Sequence, residues 1–274
     1  MKENIHLGGW EVNFNDKEEL EHFIHQHRLS KKDFDVFTKI QSGLEMITEN
    51  GKIIEVLNQP GNERVFGPLE FKIPKSEANK LFWLKHSTNG NHLLGGFPPK
   101  NLKILCNETF KPFFIGSIDC TDDEFNWLGM NRFPIFYPLD FYSESVYIDY
   151  SLEDRPEIVK EGIKVEFEPK LFLSQLKYEV SENVKIEELE NELNPIHQCG
   201  VPLWYQYPEL PRCPKTGDLM KFVCSISSDR NIQILKKGIW GLKKTDEFLK
   251  FGDMGKLYVF FNPKSRIAFK TIQF

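Results

Sequence analysis

Two stretches of this chain carry the same arrangement of residues. His197–Asp229, completed by Phe251–Phe261, has a Gly-x-Pro start, a loop with a cysteine, and an apolar strand ending in a polar cluster. Leu93–Cys120 repeats that order. Gly96-Phe97-Pro98 matches Gly200-Val201-Pro202, and Cys106 matches Cys213. Phe114, Ser117 and Ile118 match Phe222, Ser225 and Ile226. An internal repeat fixes architecture before any local detail does. Two such halves are expected to pack as pseudo-symmetric sheets that bury one shared face, with a cleft at their junction as the default site. Phe occurs 24 times in 274 residues, which supplies that face with large aromatic area. The chain is long enough to bury such a core without disulfides or a metal.

Charge and cysteine usage narrow the class. A formal net charge of −5 and a pI near 5.9 argue against a nucleic-acid binder, which needs a basic surface. Lys236, Lys237, Lys243 and Lys244, flanking Gly238–Leu242, read as a solvated loop. The five cysteines are odd in number and irregular in spacing, so no disulfide framework is expected. The N-terminal MKENIHLGGW lacks a signal-peptide run, and no stretch has the roughly 18–20 apolar residues of a membrane helix. The expectation is a reduced, cytoplasmic protein with neither nucleic acid nor membrane as partner.

Along the chain, Asp16-x-x-Glu19 has the form of a capping box, and Leu20, Phe23, Ile24 and His27 continue at helical spacing to Arg28. His22, His25 and His27 there read as surface or half-buried histidines of an amphipathic helix. Asp33–Ser42 reads as a second helix. Met46–Leu57 reads as a hairpin about Asn50-Gly51. Ser76–Lys85 reads as a short helix carrying Leu81, Phe82 and Leu84. Strands are expected at Phe113–Asp119, Phe133–Leu139, Ser145–Tyr150, Ile163–Phe167 and Leu171–Leu176, with Val165 and Phe167 on one side. Asn183–Leu193 reads as a charged amphipathic helix ended by Asn194-Pro195. Leu219–Ser227, Leu257–Phe261 and Ile267–Phe274 are further strands, the last two joined at Asn262-Pro263. The expected fold class is α+β, with predominantly antiparallel sheets from two degenerate repeats and peripheral helices. Its units are an N-terminal region 1–73 and repeats 74–176 and 177–274, with 74–274 as one compact unit.

The second half can be written as a joint pattern: His197-Gln198-x-Gly200-x-Pro202-x-Trp204-x-Gln206, Cys213-Pro214, Met220-x-Phe222, Ser228-Asp229, and Phe251-Gly252-Asp253-Met254-Gly255 before a Tyr-Val-Phe-Phe strand. This pattern resembles the bacterial YwqG-like family, a duplicated α+β family without an established biochemical activity. Leu94-Gly95-Gly96-x-Pro98 and the PFFIGSID strand resemble its first half. The resemblance spans roughly 93–274 and does not reach the region before 74. Some relatives carry Cys-Pro-x-Cys-Gly, half of a zinc knuckle. Here Cys213-Pro214-Lys215-Thr216-Gly217 lacks the second cysteine, so no metal is expected. His197, Cys199, Cys213 and Cys224 are the alternative ligand set. Against it, Cys199 and Cys224 read as small buried residues.

No nucleophile elbow, phosphate loop, dinucleotide fingerprint or His-Glu-x-x-His is present. The candidate binding residues are His197, Trp204, Asp229, Gly252, Asp253 and Gly255. The glycines permit a tight path that presents Asp253 to a ligand, or Asp253 simply caps its own turn. His197 and Asp253, joined by Asp229, form an acid–base set if their loops meet. Trp204 is either an exposed anchor or core filling. The expected function is that of a non-enzymatic protein-binding protein, with another protein as partner and no cofactor. The resemblance implies an immunity-type role, because relatives look at home among bacterial toxin and immunity genes; a net charge of −5 would suit a basic target. The rival is a small-ligand protein or enzyme using the inter-repeat cleft.

Overall fold

The computed structural model describes strands at 3–7, 10–14, 37–39, 45–49 and 52–57. It then describes residues 82–274, apart from 108–109, 140–144, 160–161, 168–169, 183–192, 201, 203–210, 219 and 240. β1 (Glu3–Leu7) and β2 (Trp10–Phe14) form a two-stranded sheet. β3 (Phe37–Lys39), β4 (Glu45–Glu49) and β5 (Lys52–Leu57) form a three-stranded one. β4 and β5 are antiparallel, with Glu49 opposite Lys52; the turn expected at Asn50-Gly51 lies outside the described residues.

The remaining strands form a single 15-stranded sheet. They are β6 (Phe82–His86), β7 (His92–Gly96), β8 (Leu105–Asn107), β9 (Phe113–Asp119), β10 (Arg132–Tyr137), β11 (Val146–Asp149), β12 (Glu157–Ile158), β13 (Lys164–Glu166), β14 (Leu171–Ser181), β15 (His197–Cys199), β16 (Lys221–Ser227), β17 (Asp229–Gly238), β18 (Gly241–Leu249), β19 (Lys256–Asn262) and β20 (Ile267–Gln273). The spatial order is β10-β9-β7-β14-β6-β15-β16-β19-β20-β11-β12-β8-β13, with the β17–β18 ribbon branching from β14. The β12–β8 pair is parallel; the other pairs are antiparallel.

The centre is the β6–β14 pair, where Lys85 lies opposite Glu179. Outward from it the order is β14–β7–β9–β10 in one direction and β6–β15–β16–β19 in the other. β9 and β16, which carry the aligned sequence residues, are paired alike. Ser117 faces Pro134 and Ser225 faces Tyr258; Phe114 faces Phe136 and Phe222 faces Phe260. Each strand skips one residue in the ladder, Ile115 or Val223, as a bulge. Phe114 and Phe222 nevertheless belong to different apolar clusters on the sheet. The contact across the curled sheet is made instead by Phe133 of β10 and Phe261 of β19, with ring centroids 5.4 Å apart.

The fold is not α+β. Among the described residues the only helical element is the three-residue 3-10 turn Asn126–Leu128, and strands dominate. Many of the strands are buried on both faces. Leu257, Val259 and Phe261 point into one cluster, while Tyr258 and Phe260 point into another. Strands covered on both sides read as continuous apolar runs, which periodicity cannot tell from helix. The same ambiguity made Ser76–Lys85 look helical, whereas Phe82, Trp83 and Leu84 are consecutive buried residues of a strand. Phe37–Lys39, inside the expected helix Asp33–Ser42, is a strand as well. β13 is exposed at all three positions, so Val165 is not a core residue there. The helices expected at Asp16–Arg28 and Asn183–Leu193 lie outside the described residues. Among the described residues no helix is long and apolar enough to cross a membrane.

Candidate functional site

His197 and Asp229 are brought together by a residue that the sequence reading passed over, Tyr178 of β14. The Tyr178 ring lies 4.8 Å, centroid to centroid, from His197. Its hydroxyl donates to Asp229 Oδ2 at 3.0 Å. The other Asp229 oxygen accepts from Asn231 N and Nδ2 at 2.8 and 3.0 Å. All three side chains are buried. Burial, then the neighbouring carboxylate of Asp229, holds the Tyr178 phenol well above its ordinary value. His197 Nδ1 accepts from Ser227 N at 3.2 Å, which leaves its proton on Nε2. Among the described residues that buried N–H has no partner. Burial, with repulsion from Lys256, lowers the imidazole to about 3, so it is neutral. A neutral, buried imidazole, a phenol and a carboxylate held by three donors form a buried network.

Asp253 does not join them. It is 78% exposed and pairs with Lys250 at 3.5 Å. The Phe251–Gly255 turn closes on itself, with Gly255 N donating to Phe251 O at 2.7 Å. Ser228 clamps it: Ser228 Oγ donates to Gly255 O and accepts from Phe251 N, both at 2.9 Å. Gly252 and Gly255 owe their identity to packing. A Cβ on Gly255 would stand 2.1 Å from Gln273 O, and one on Gly252 would stand 2.2 Å from the Phe274 ring. The glycines admit the last strand to close range.

Trp204 lies outside the described residues. A cavity of about 400 Å³ opens beside Cys106, Asn107, Lys111, Phe113, Glu166 and Lys170, and none of the candidate binding residues lines it. All five cysteines are buried and free. Cys199 and Cys224 face each other across β15 and β16 as small core residues. Among the described residues no group of three or more His, Cys, Asp or Glu side chains is placed to hold a metal ion. Cys213 sits apart from the other two, 3.0 Å from Ser265 Oγ, in the second apolar cluster.

The lysine-rich segment is a β-ribbon, not a loop. Gly238 pairs with Gly241, and Lys236 lies directly opposite Lys243. Lys237 faces Leu242 and Leu235 faces Lys244. Ile239 at the turn is 95% exposed and Leu242 is 41% exposed. The sequence signal was available as alternation in Asn231–Lys236 followed by a glycine-flanked pair, and the charge masked it. No family model, curated protein or solved structure matches the chain.

Proposed function

We propose that this is a non-enzymatic cytoplasmic binding protein that docks onto an acidic protein surface through the end of the β17–β18 ribbon. The observation that carries this reading is the Lys236–Lys243 pair. Like charges directly opposite on neighbouring strands destabilise a ribbon, and a carboxylate placed between them reverses that cost. Lys237 and Lys244 extend the positive field, and Asp246 and Glu247 lie further from the turn. Ile239 supplies an apolar anchor at the tip. The basic end is local, because the chain as a whole carries −5. A narrow ribbon tip gains most contact area in a concave partner, which favours a protein groove over a flat layer.

In the setting that the YwqG-like resemblance implies, the partner is a toxin and the ribbon blocks it. The charge of the ribbon points to an acidic target surface, opposite to the expectation from net charge. The test starts from a bait carrying a photo-crosslinking residue at position 239. The captured polypeptide is then purified and titrated against wild type, Lys236→Glu/Lys243→Glu and Ile239→Ser. The reading requires 1:1 binding to an acidic protein, weakened by salt and at least about tenfold weaker with either variant. Equal affinity for all three proteins overturns it. So does binding to anionic vesicles with no protein partner.

A further inference from the structure

Cys213-Pro214-Lys215-Thr216-Gly217 and Asn262-Pro263-Lys264-Ser265-Arg266 are two copies of one turn. In each, the fifth residue donates its N–H to the first residue's carbonyl: Gly217 to Cys213 and Arg266 to Asn262, both at 2.8 Å. In each, that fifth residue is left-handed, with φ of 73° at Gly217 and 57° at Arg266. In each, the first side chain accepts the backbone N–H groups of the third and fourth residues. Asn262 Oδ1 takes those of Lys264 and Ser265, both at 3.0 Å. Burial pushes the Cys213 thiol up, yet hydrogen bonds from Ser265, from the Thr216 side chain and backbone, and from the Lys215 backbone bring it below its ordinary value.

The two turns also face each other, first residue to fourth. Cys213 Sγ meets Ser265 Oγ at 3.0 Å, and Asn262 Nδ2 donates to Thr216 Oγ1 at 3.3 Å. Two Cys-x₂-Cys turns, set face to face with backbone N–H groups aimed at the first ligand of each, are how a structural zinc site is built. We propose that these turns form a metal-knuckle scaffold in which Cys213, Thr216, Asn262 and Ser265 occupy the four ligand positions and hydrogen bonds replace the ion. A tetrahedron with Zn–S bonds of about 2.3 Å spaces its ligand atoms about 3.8 Å apart. The two observed cross-turn separations fall short of that by less than about 1 Å. The natural set holds a single thiol beside two hydroxyls and an amide, which does not suit a thiophilic divalent ion. The scaffold therefore works as a metal-independent staple between the approach to β16 and the β19–β20 turn.

The experiment is a cobalt(II) titration of the full-length triple variant Thr216→Cys/Asn262→Cys/Ser265→Cys under reducing conditions, with wild type alongside. The triple variant is expected to bind one cobalt per chain, with the visible bands of tetrahedral thiolate coordination. Zinc should displace it, and its thermal midpoint should rise when metal is added. Wild type should show no such bands. A folded triple variant that takes up cobalt only in octahedral form, or without fixed stoichiometry, overturns the proposal; so does a chain that fails to fold even when refolded with zinc. Tetrahedral bands in wild type overturn the replacement of the ion by hydrogen bonds. Independently, Cys213→Ala and Ser265→Ala should be non-additive in the natural chain, the second change lowering the folding constant at least about threefold less once the first is present. Additivity overturns the cross-turn staple.

Discussion

His92 and His197 occupy corresponding points of the sheet, one in each direction from its centre. His92 Nδ1 accepts Asp119 N at 3.1 Å, as His197 Nδ1 accepts Ser227 N at 3.2 Å. Each ring ties the end of one strand to its neighbour, and each can do so only while Nδ1 is unprotonated. They differ at Nε2, which in His92 lies 3.6 Å from Asp122 Oδ2 and in His197 has no partner among the described residues. Burial lowers both, and for His92 it outweighs the opposing pull of Asp122.

These rings make the fold acid-sensitive. His197 titrates at about 3 in the folded chain, against 6.5 for the free side chain, so protons bind the unfolded state first. The contribution is intact above pH 6.5 and is lost as pH falls toward 3, at up to about 1.4 kcal/mol per pH unit from this one group. His197→Asn keeps an acceptor for Ser227 N and removes the titration. In urea melts the variant should be less stable than wild type at pH 7.5, and the gap should narrow by pH 4.5. A gap that stays constant over that range rules out the histidine as the source.

Tyr178→Phe should destabilise by roughly 2 kcal/mol, because it strips one donor from a buried carboxylate while keeping the ring against His197. Asp229→Leu in the Tyr178→Phe background should then cost less than Asp229→Leu alone, since no orphaned phenol remains. Denaturant midpoints of the four proteins give the coupling. If the two changes simply add, the network has been misassigned.

Lys270 is a lysine inside the core. Its Nζ donates to Tyr150 Oη at 2.7 Å, Tyr150 Oη donates to Pro134 O at 2.7 Å, and the chain thereby links β20 to β10. Its side chain lies over the Phe133 and Tyr150 rings. Burial holds the amine well below 10.5, with a smaller opposing effect from Cys224. The unfolded chain therefore takes up the proton, and wild-type stability should rise with pH toward 10.5. Lys270→Met keeps the volume, leaves the Tyr150–Pro134 bond, and should raise stability at pH 7 by about 1 kcal/mol or more. The gain should shrink at pH 9. A loss of stability at pH 7 would mean that the lysine serves the fold in some other way.

What the sequence made legible was strand position and pairing chemistry. FFIGSID and Lys221–Ser227 carry their apolar runs openly, and Asn262-Pro263 announces its turn. Strand partners were not legible. β6 and β7 are near in sequence, yet β14 lies between them, and no local pattern states that. Helical spacing misled at Phe82–Leu84, three consecutive buried residues, although β9, β16 and β19 were legible as strands with both faces covered. The site was half legible. His197 and Asp229 stood out by residue type, but Tyr178, which joins them, sits in the distal half of β14, beyond the expected strand end at Leu176. Asp253 stood out because glycines flank it, and those glycines answer to Gln273 and Phe274.

That last point separates two substitutions that look alike in sequence. In Gly255→Ala the new Cβ meets backbone, 2.1 Å from Gln273 O, and β20 must move off β19 where Lys256 pairs with Gln273. In Gly252→Ala the Cβ meets the Phe274 ring at 2.2 Å, and a side-chain ring can give where backbone cannot. What remains there is the left-handed backbone, φ 53°, which costs a non-glycine residue about 1 kcal/mol. Gly255→Ala should therefore cost about 3 kcal/mol or more, and Gly252→Ala appreciably less. Adding Phe274→Ala should recover part of the Gly252→Ala loss and none of the Gly255→Ala loss. Thermal melts of the two single and two double variants decide it. Rescue of Gly255→Ala by Phe274→Ala would place the clash on the ring and not on the strand.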